Sequence, residues 1–162
     1  KEHIVINKKA INVQNFIEEI LGFFSPLKFI KNFSTNLNCE PDIYLNLDPD
    51  CLNIIIRNIV DNAIKGLREN EGLISIDVLR TQESAVTIEI TDNGVGVEPS
   101  KLELIRNVFE NPHVEIINHE KLGMGTALIG RYVRVCEGQI EIASKVDTGT
   151  TVKITFQNQI ID

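Results

Sequence analysis

The sequence has few cysteines, no long apolar run and no excess of basic residues. Its 3 cysteines (Cys39, Cys51 and Cys136) are scattered at spacings that suit neither a zinc site nor a disulfide framework, so a reducing cytoplasm is expected. The longest apolar runs, such as residues 20–24, are far too short to span a bilayer, and we expect no direct membrane contact by this chain. The chain has 16 Lys and Arg residues and 23 Asp and Glu residues, so its net charge is −7. This excess of acidic residues argues against nucleic-acid binding.

The segments that usually separate domains are also missing. There is no low-complexity tract, internal repeat or Gly/Ser linker, and 162 residues suit one domain, so residues 1–162 are predicted to form a single domain. No signal peptide is visible, and because the chain begins at Lys1 rather than Met we expect a fragment of a longer protein. With 43% hydrophobic and 24% charged residues, the composition is typical of a globular domain.

The spacing of apolar residues predicts alternating strands and helices. Strands are predicted over residues 4–7, 28–38, 43–47, 73–79, 85–91, 139–145 and 150–156, and helices over residues 11–24, 48–69 and 125–137. Residues 97–122 are predicted to be irregular, with one short helix opened near Pro99 by a capping-box pattern. Apolar and polar residues alternate in the last four strands, so one face of the sheet is apolar. This predicts an α/β (α+β) two-layer sandwich, with a mixed, mostly antiparallel sheet and helices on one face.

A narrow polar strip lies along the predicted helix 48–69. Asn58, Asn62 and Lys65 occupy positions i, i+4 and i+7 beside a broad apolar arc. An amide oxygen is a suitable ligand for Mg²⁺, and an ammonium group suits a phosphate. A solvated helix face that carries two asparagines is the alternative, although asparagine is unfavourable inside a helix.

A carboxylate and two glycines follow the predicted strand 85–91. Asp92 shares the parity of the inward residues, and a buried carboxylate requires a hydrogen-bond donor such as the amino group of a purine. Gly94 and Gly96 would let the backbone approach a flat ring closely. An ordinary Asp-Asn-Gly turn is the alternative interpretation.

Two further motifs are weak when each is taken alone. Gly123 and Gly125 open a predicted helix, where free amides and the positive end of the helix dipole favour an anion. Thr150 points inward, where its hydroxyl would complete a polar set around Asp92. The G-x-G-x-x-G fingerprint after a strand, the Walker loop and the H-R-D and D-F-G motifs of protein kinases are all absent.

In this order and on these elements, the motifs resemble the ATP-binding catalytic domain of bacterial two-component sensor histidine kinases, within the GHKL ATPase group. The resemblance covers essentially the whole chain. Residues 58–65 (Asn-Ile-Val-Asp-Asn-Ala-Ile-Lys) resemble the N box, residues 92–97 (Asp-Asn-Gly-Val-Gly-Val) the first glycine box, and residues 123–128 (Gly-Met-Gly-Thr-Ala-Leu) the second. The resemblance implies a Bergerat-type ATP-binding fold in which residues 97–122 form an ATP lid.

The resemblance also implies ATP and Mg²⁺ as cofactors and a role for each motif. Asn62 would coordinate Mg²⁺, Asn58 would support the metal or the phosphates, and Lys65 would contact a phosphate. Asp92 would bind the amino group of adenine. The residues predicted to bind the nucleotide are Asp92, Gly94, Gly96, Gly123, Gly125, Thr126 and Thr150.

Some positions depart from the family pattern. Thr126 stands where the family usually has Leu, and Phe109 is the one aromatic candidate for lid contacts. Arg106 and Lys121 in the lid either reach phosphates or are solvated charges. His119 precedes Glu120, as in a phosphoacceptor motif, but no proline follows.

The implied activity is transfer of the γ-phosphoryl group of ATP to a histidine on a separate dimerisation domain. That domain would make the receptor a homodimer, and a response regulator would act downstream. The alternative is a GHKL-type ATPase that hydrolyses ATP to drive conformational change. Such enzymes have a Glu four residues before the metal-binding Asn, and here Asn58, which cannot act as a general base, favours phosphotransfer. A nucleotide-free scaffold is a third possibility.

Overall fold

The computed structural model describes residues 4–111 and 122–161. In chain order its elements are β1 (Lys9–Asn12), α1 (Val13–Phe24), a 3₁₀ helix (Ser25–Phe29), β2 (Phe33–Cys39), β3 (Tyr44–Leu47), α2 (Pro49–Gly66), β4 (Gly72–Arg80), β5 (Val86–Asp92), α3 (Pro99–Glu110), α4 (Met124–Val135), β6 (Gln139–Lys145) and β7 (Gly149–Phe156). The predictions for His119 and Lys121 fall outside the described residues.

Five of the strands form one mixed sheet in the order β2-β4-β5-β7-β6. β2 and β4 are parallel, whereas the other three neighbouring pairs are antiparallel. β1 and β3 form a separate antiparallel pair. The predicted mixed, mostly antiparallel sheet is confirmed.

The helices cover one face of this sheet. Residues of one parity, such as Ile76, Ile88 and Ile154, are fully buried, whereas Glu89 and Lys153 on the other parity are partly exposed. α2 contacts β4, β5, α1 and α4, and α3 contacts α4 and β6. The structure is therefore the predicted two-layer sandwich, with a core between the helices and the inner face of the sheet.

α2 begins where the sequence predicts and ends earlier. The Asp48 side chain accepts a hydrogen bond from the amide of Asp50, which caps the helix before Pro49. At the other end, Lys31 Nζ donates to the carbonyl of Ile64 at 2.7 Å. The carbonyl of Gly66 accepts from the amide of Val95. Because carbonyls of the last turn have partners from outside the helix, α2 ends at Gly66 and not near residue 69.

The amino-terminal strand predictions need correction. Residues 4–8 form no regular strand, and the first strand is β1, at Lys9–Asn12. The amide of Asn7 instead donates to the carboxylate of Asp48 at 2.9 Å and, as the largest cause, holds the pKa of Asp48 below its usual value. The predicted strand 28–38 begins only at Phe33, because the chain from Ser25 to Phe29 forms a 3₁₀ helix with a proline in its first turn.

The segment predicted to be irregular contains a full helix of 12 residues, α3. Its N-cap is Glu98, which makes no side-chain hydrogen bond, so the predicted capping box is wrong. Pro99 occupies the first turn, where its missing amide hydrogen costs nothing. Over the described ranges, none of the helices combines the length and apolar character needed to cross a membrane.

Candidate nucleotide-binding site

A cavity of about 340 Å³ lies between the inner face of the sheet and the helices α2, α3 and α4. Six of the predicted site residues line it: Asn62, Lys65, Asp92, Gly96, Thr126 and Thr150. Much of the remaining lining is apolar and includes Ile59, Ala63, Ile90, Ile105, Phe109, Ile129, Ile142 and Val152. A largely apolar cavity with a few convergent polar groups is typical of a small-molecule site.

Asp92 is the buried acidic group of this cavity. The last residue of β5, it is 9% exposed and points to the helical layer, as its parity predicts. Its Oδ1 accepts a hydrogen bond from the amide of Gly94 at 2.8 Å. Burial raises the pKa of Asp92, and the backbone amides of Gly94 and Thr150 oppose that rise. The carboxylate thus retains acceptor capacity toward the cavity.

Asp92, Thr150 and Ser144 form a polar row across three strands. Asp92 pairs with Thr150 between β5 and β7, and Thr150 pairs with Ser144 between β7 and β6. The hydroxyl oxygens of Ser144 and Thr150 are 2.8 Å apart. The sequence interpretation missed Ser144, although its parity with the inward residues Ile140 and Ile142 is a signal that locates it.

The polar strip of α2 meets the start of α4. Asn58 Nδ2 donates to the carbonyl of Ile54 at 2.6 Å. The amide oxygen of Asn58 takes no part in this hydrogen bond. A Cβ atom on Gly125 would lie 3.0 Å from Asn58 Oδ1 and 3.8 Å from Asn62 Oδ1. The structure thus brings Asn58, Asn62 and Gly125 together.

Lys65 lines the cavity and also forms an ion pair on the helix surface. Its Nζ lies 2.8 Å from the Asp61 carboxylate, and the two side chains are 72% and 39% exposed. An exposed pair one helical turn apart is weak, so the ammonium group is available to a competing phosphate. Lys101 on α3 is a second cation in the lining. Sequence reasoning missed Lys101, because its position depends on how α3 docks.

The glycines of the first glycine box are required by close backbone contacts. Gly96 has a φ of +73°, and a Cβ on it would overlap the carbonyl of Lys145. A Cβ on Gly94 would overlap the carbonyl of Gly66 at the end of α2. The sequence interpretation assigned these glycines to a bound ring; in the structure they also allow the loop after β5 to lie against α2 and β6.

The second glycine box starts α4. Gly123 is the N-cap residue, with a φ of +81°, and it offers no side chain to cap the first amides. Thr126, in the first turn, is 8% exposed, and its hydroxyl donates to the carbonyl of Leu122 at 3.4 Å. The start of this helix has the dipole and the amides that favour an anion.

Two side chains of the predicted lid lie in its described part and have structural partners. Phe109 is 8% exposed and lines the cavity from α3. Arg106 donates to the carbonyl of Ile142 at 3.0 Å, so in this structure it connects α3 to β6. Of the two alternatives for Arg106, a phosphate contact or a solvated charge, the structure agrees with the second, because the side chain is exposed.

Within residues 4–111 and 122–161, no cluster of three His, Cys, Asp or Glu residues could hold a metal ion. The amide oxygen of Asn62 fits Mg²⁺ in another way. Mg²⁺ is commonly held by one or two protein oxygens together with water and substrate phosphates. The donor set therefore suits a metal that binds together with a phosphorylated ligand.

Comparison with known proteins identifies the family. Residues 47–160 match the family of histidine kinase-, DNA gyrase B- and HSP90-like ATPases, and the chain belongs to this family. Over 157 residues it is 25% identical to the autoinducer 2 sensor kinase/phosphatase LuxQ of Vibrio vulnificus (strain YJ016), an alignment that covers 93% of this chain and 18% of that protein. It is 28% identical over 159 residues to the sensor histidine kinase WalK of Bacillus subtilis (strain 168), covering 93% of this chain and 25% of WalK.

Solved structures show the same fold. The catalytic domain of histidine kinase ThkA superposes with a TM-score of 0.77 at 18% identity, covering 94% of this chain and 97% of that one. Full-length ShkA in complex with AMPPNP gives a TM-score of 0.79 at 18% identity, covering 96% of this chain and 32% of ShkA. The chain thus spans a small part of the kinases LuxQ and WalK and nearly the whole of an isolated catalytic domain.

Proposed function

We propose that this chain is the catalytic domain of a sensor histidine kinase. It binds ATP with Mg²⁺ and donates the γ-phosphoryl group to a histidine on a separate dimerisation domain. A response regulator acts downstream. The observation that carries the proposal is the cavity, in which a buried carboxylate, Asp92, and two residues of the polar strip of α2, Asn62 and Lys65, line one largely apolar space.

The polar groups of the cavity suit the two ends of ATP. Asp92 would accept a hydrogen bond from the adenine amino group, and the apolar lining would cover the ring. Lys65 and the amides at the start of α4 would hold the phosphates, and Asn62 would hold Mg²⁺. Mg²⁺ would neutralise charge on the transferring phosphoryl group. Residues 97–122 would close over the nucleotide as a lid, and α3 lies in its described part.

Asn58 favours phosphoryl transfer over hydrolysis. Its Nδ2 donates to the Ile54 carbonyl, and its amide oxygen lies beside Gly125. A carboxamide cannot take a proton from water, so this position cannot supply the general base of a hydrolase. In the transfer, a histidine nitrogen of the partner domain would attack the γ-phosphorus while the bond to the leaving ADP oxygen breaks. Positioning and charge neutralisation carry such a reaction.

The test is nucleotide binding followed by phosphotransfer. Calorimetry should show ATP binding that strengthens when Mg²⁺ is added. With radiolabelled ATP and Mg²⁺ the chain alone should stay unlabelled. Addition of the histidine-bearing domain of the same receptor should give an acid-labile, base-stable phosphohistidine on that domain. Multiple-turnover release of phosphate by the chain alone would instead favour the ATPase alternative.

A further inference from the structure

Ser144 makes three hydrogen bonds at the edge of the cavity. Its hydroxyl oxygen accepts from the amide of Val97 at 2.8 Å. It donates to the carbonyl of Gly149 at 3.0 Å and lies 2.8 Å from the hydroxyl oxygen of Thr150. Among the described residues, the cavity lining includes Thr150 and Val97 and not Ser144, so Ser144 acts on a ligand through the residues that it holds, and of these Thr150 carries the side-chain hydroxyl.

Either hydroxyl group could donate in the bond between Ser144 and Thr150, and a count of hydrogens favours one direction. A serine hydroxyl has one hydrogen and two acceptor lone pairs. The hydrogen of Ser144 is used on the Gly149 carbonyl, and one lone pair is used on the Val97 amide. With its hydrogen on the Gly149 carbonyl, Ser144 accepts from Thr150, and this assignment gives all of these groups a partner. The hydroxyl hydrogen of Thr150 then points to Ser144, and the lone pairs of Thr150 remain for the cavity.

This arrangement makes one end of the cavity an acceptor surface. Thr150 pairs directly with Asp92 across β5 and β7. An ionised carboxylate only accepts hydrogen bonds, and Thr150 is also restricted to accepting. The 6-amino group of adenine is a donor, whereas the 6-carbonyl group of hypoxanthine or guanine is an acceptor. At the position of the 6-substituent, such an end favours the amino group of adenine and disfavours the carbonyl group of hypoxanthine or guanine.

We propose that Ser144 is a positioning residue that sets purine specificity, because it holds the Thr150 hydroxyl as an acceptor beside Asp92. The proposal rests on the proposed function, in which the base of ATP lies at this end of the cavity. Without Ser144, the Thr150 hydroxyl can rotate and donate to the cavity. A 6-carbonyl group then gains a donor, and the preference for adenine weakens.

The experiment compares ATP with inosine triphosphate by calorimetry on the parent chain and on Ser144→Ala. We expect inosine triphosphate to bind Ser144→Ala more tightly than it binds the parent. The ATP preference should fall by about tenfold, since one hydrogen bond gained in place of an unfavourable pairing is worth about that much. General damage to the site would weaken both nucleotides, so a gain for one of them is specific. Ser144→Thr keeps a hydroxyl and should restore the preference of the parent.

Two further variants isolate the pathway through Thr150. In a Thr150→Val background, Ser144→Ala should leave the preference unchanged, because the hydroxyl that Ser144 holds is gone. Ser75→Ala, on the opposite face of β4, should leave the preference at the parent value. If Ser144→Ala does not fold, Thr150→Val alone tests the idea, because loss of the acceptor oxygen should reduce the ATP preference.

The outcomes separate this inference from the proposed function. A parent chain that does not bind ATP overturns both. A parent that prefers ATP, together with a Ser144→Ala variant that keeps the same preference, overturns the role of Ser144 and leaves the kinase proposal standing. An unchanged preference in Thr150→Val also overturns it.

Discussion

Asp92 and Thr150 lie opposite each other on β5 and β7, and the Thr150 backbone amide helps to stabilise the Asp92 carboxylate. A second amide, that of Gly94, donates to the same carboxylate at 2.8 Å. These two donors do not replace the water lost on burial, since the pKa of Asp92 is still raised. The ionised carboxylate therefore lowers the stability of the unliganded chain. A ligand that supplies a further hydrogen-bond donor would reduce this cost.

Replacement of this carboxylate should weaken ATP binding and leave the fold intact. In Asp92→Asn, one oxygen still accepts from Gly94, but an amide nitrogen can face the adenine amino group, so a donor meets a donor. A hydrogen bond to a charged group is worth about 1.5–3 kcal/mol, so ATP affinity should fall by roughly 10- to 100-fold. Calorimetry measures the affinity, and circular dichroism checks the fold.

Asp77→Asn is the matched control for this variant. Asp77 lies on the outward face of β4, where it accepts from Asn38 Nδ2 at 3.0 Å. Its conversion to asparagine should leave ATP affinity unchanged. An Asp92→Asn affinity within twofold of the parent would show that Asp92 does not bind the base.

The same carboxylate should make the stability of the unliganded chain depend on pH. Because burial raises the folded-state pKa of Asp92, its favourable contribution is complete below the unfolded-state pKa, near 4, and is lost as pH rises through the folded-state value. Asp92→Asn has no charge to bury, so at pH 7 it should unfold at a higher temperature than the parent.

This difference should shrink as pH falls toward 4, because the Asp92 carboxylate takes up its proton as pH falls. Thermal unfolding of the two proteins without nucleotide, at several pH values between 4 and 7, measures it. A constant difference over this range would mean that ionisation of Asp92 has no part in the stability.

The sequence carries enough information for the sheet and for one side of the site. Alternation of apolar and polar residues locates β4, β5 and β7, and the parity of Asp92 and Thr150 places both on the inner face. The start of α2 is equally predictable, because the cap Asp48 and the following proline are local signals.

What the sequence does not predict depends on contacts between distant segments. α2 ends at Gly66 because Lys31 and Val95 supply donors to its last carbonyls. Lys101 enters the cavity only because α3 docks beside α4. No pattern in the neighbouring sequence predicts either of these contacts. Ser144 differs, since its inward parity was readable, but its function is visible only through its bonds to Val97 and Thr150.

Lys65 should contribute to phosphate binding and hardly at all to stability. Its ion pair with Asp61 is exposed, so Lys65→Ala should change the free energy of unfolding by less than about 0.5 kcal/mol. If Lys65 contacts a phosphate, the variant should lose roughly 10- to 100-fold in ATP affinity, because a charge-assisted hydrogen bond is lost. Adenosine has no phosphate and should bind as before. Titrations with both ligands measure this.

Lys153→Ala provides the control for removal of a positive charge, since Lys153 lies on the outward face of β7, between Glu89 and Glu141. It should not affect ATP affinity. Equal losses of ATP and adenosine binding in Lys65→Ala would indicate a disturbed fold and not a lost phosphate contact.

Gly96 and Gly22 should respond in opposite directions to the same change. Gly96→Ala places a side chain at a φ of +73° and against the Lys145 carbonyl, so we expect a loss of at least about 2 kcal/mol in stability. Because the loop after Asp92 must move, ATP affinity should fall as well. Gly22 lies within α1 with open space around it, and Gly22→Ala should stabilise the chain by about 0.5–1 kcal/mol with no effect on ATP. Chemical denaturation of the three proteins measures both changes. A Gly96→Ala variant as stable as the parent would show that the first glycine box tolerates a side chain at this turn, and that the contact between the loop and Lys145 does not hold the cavity in shape.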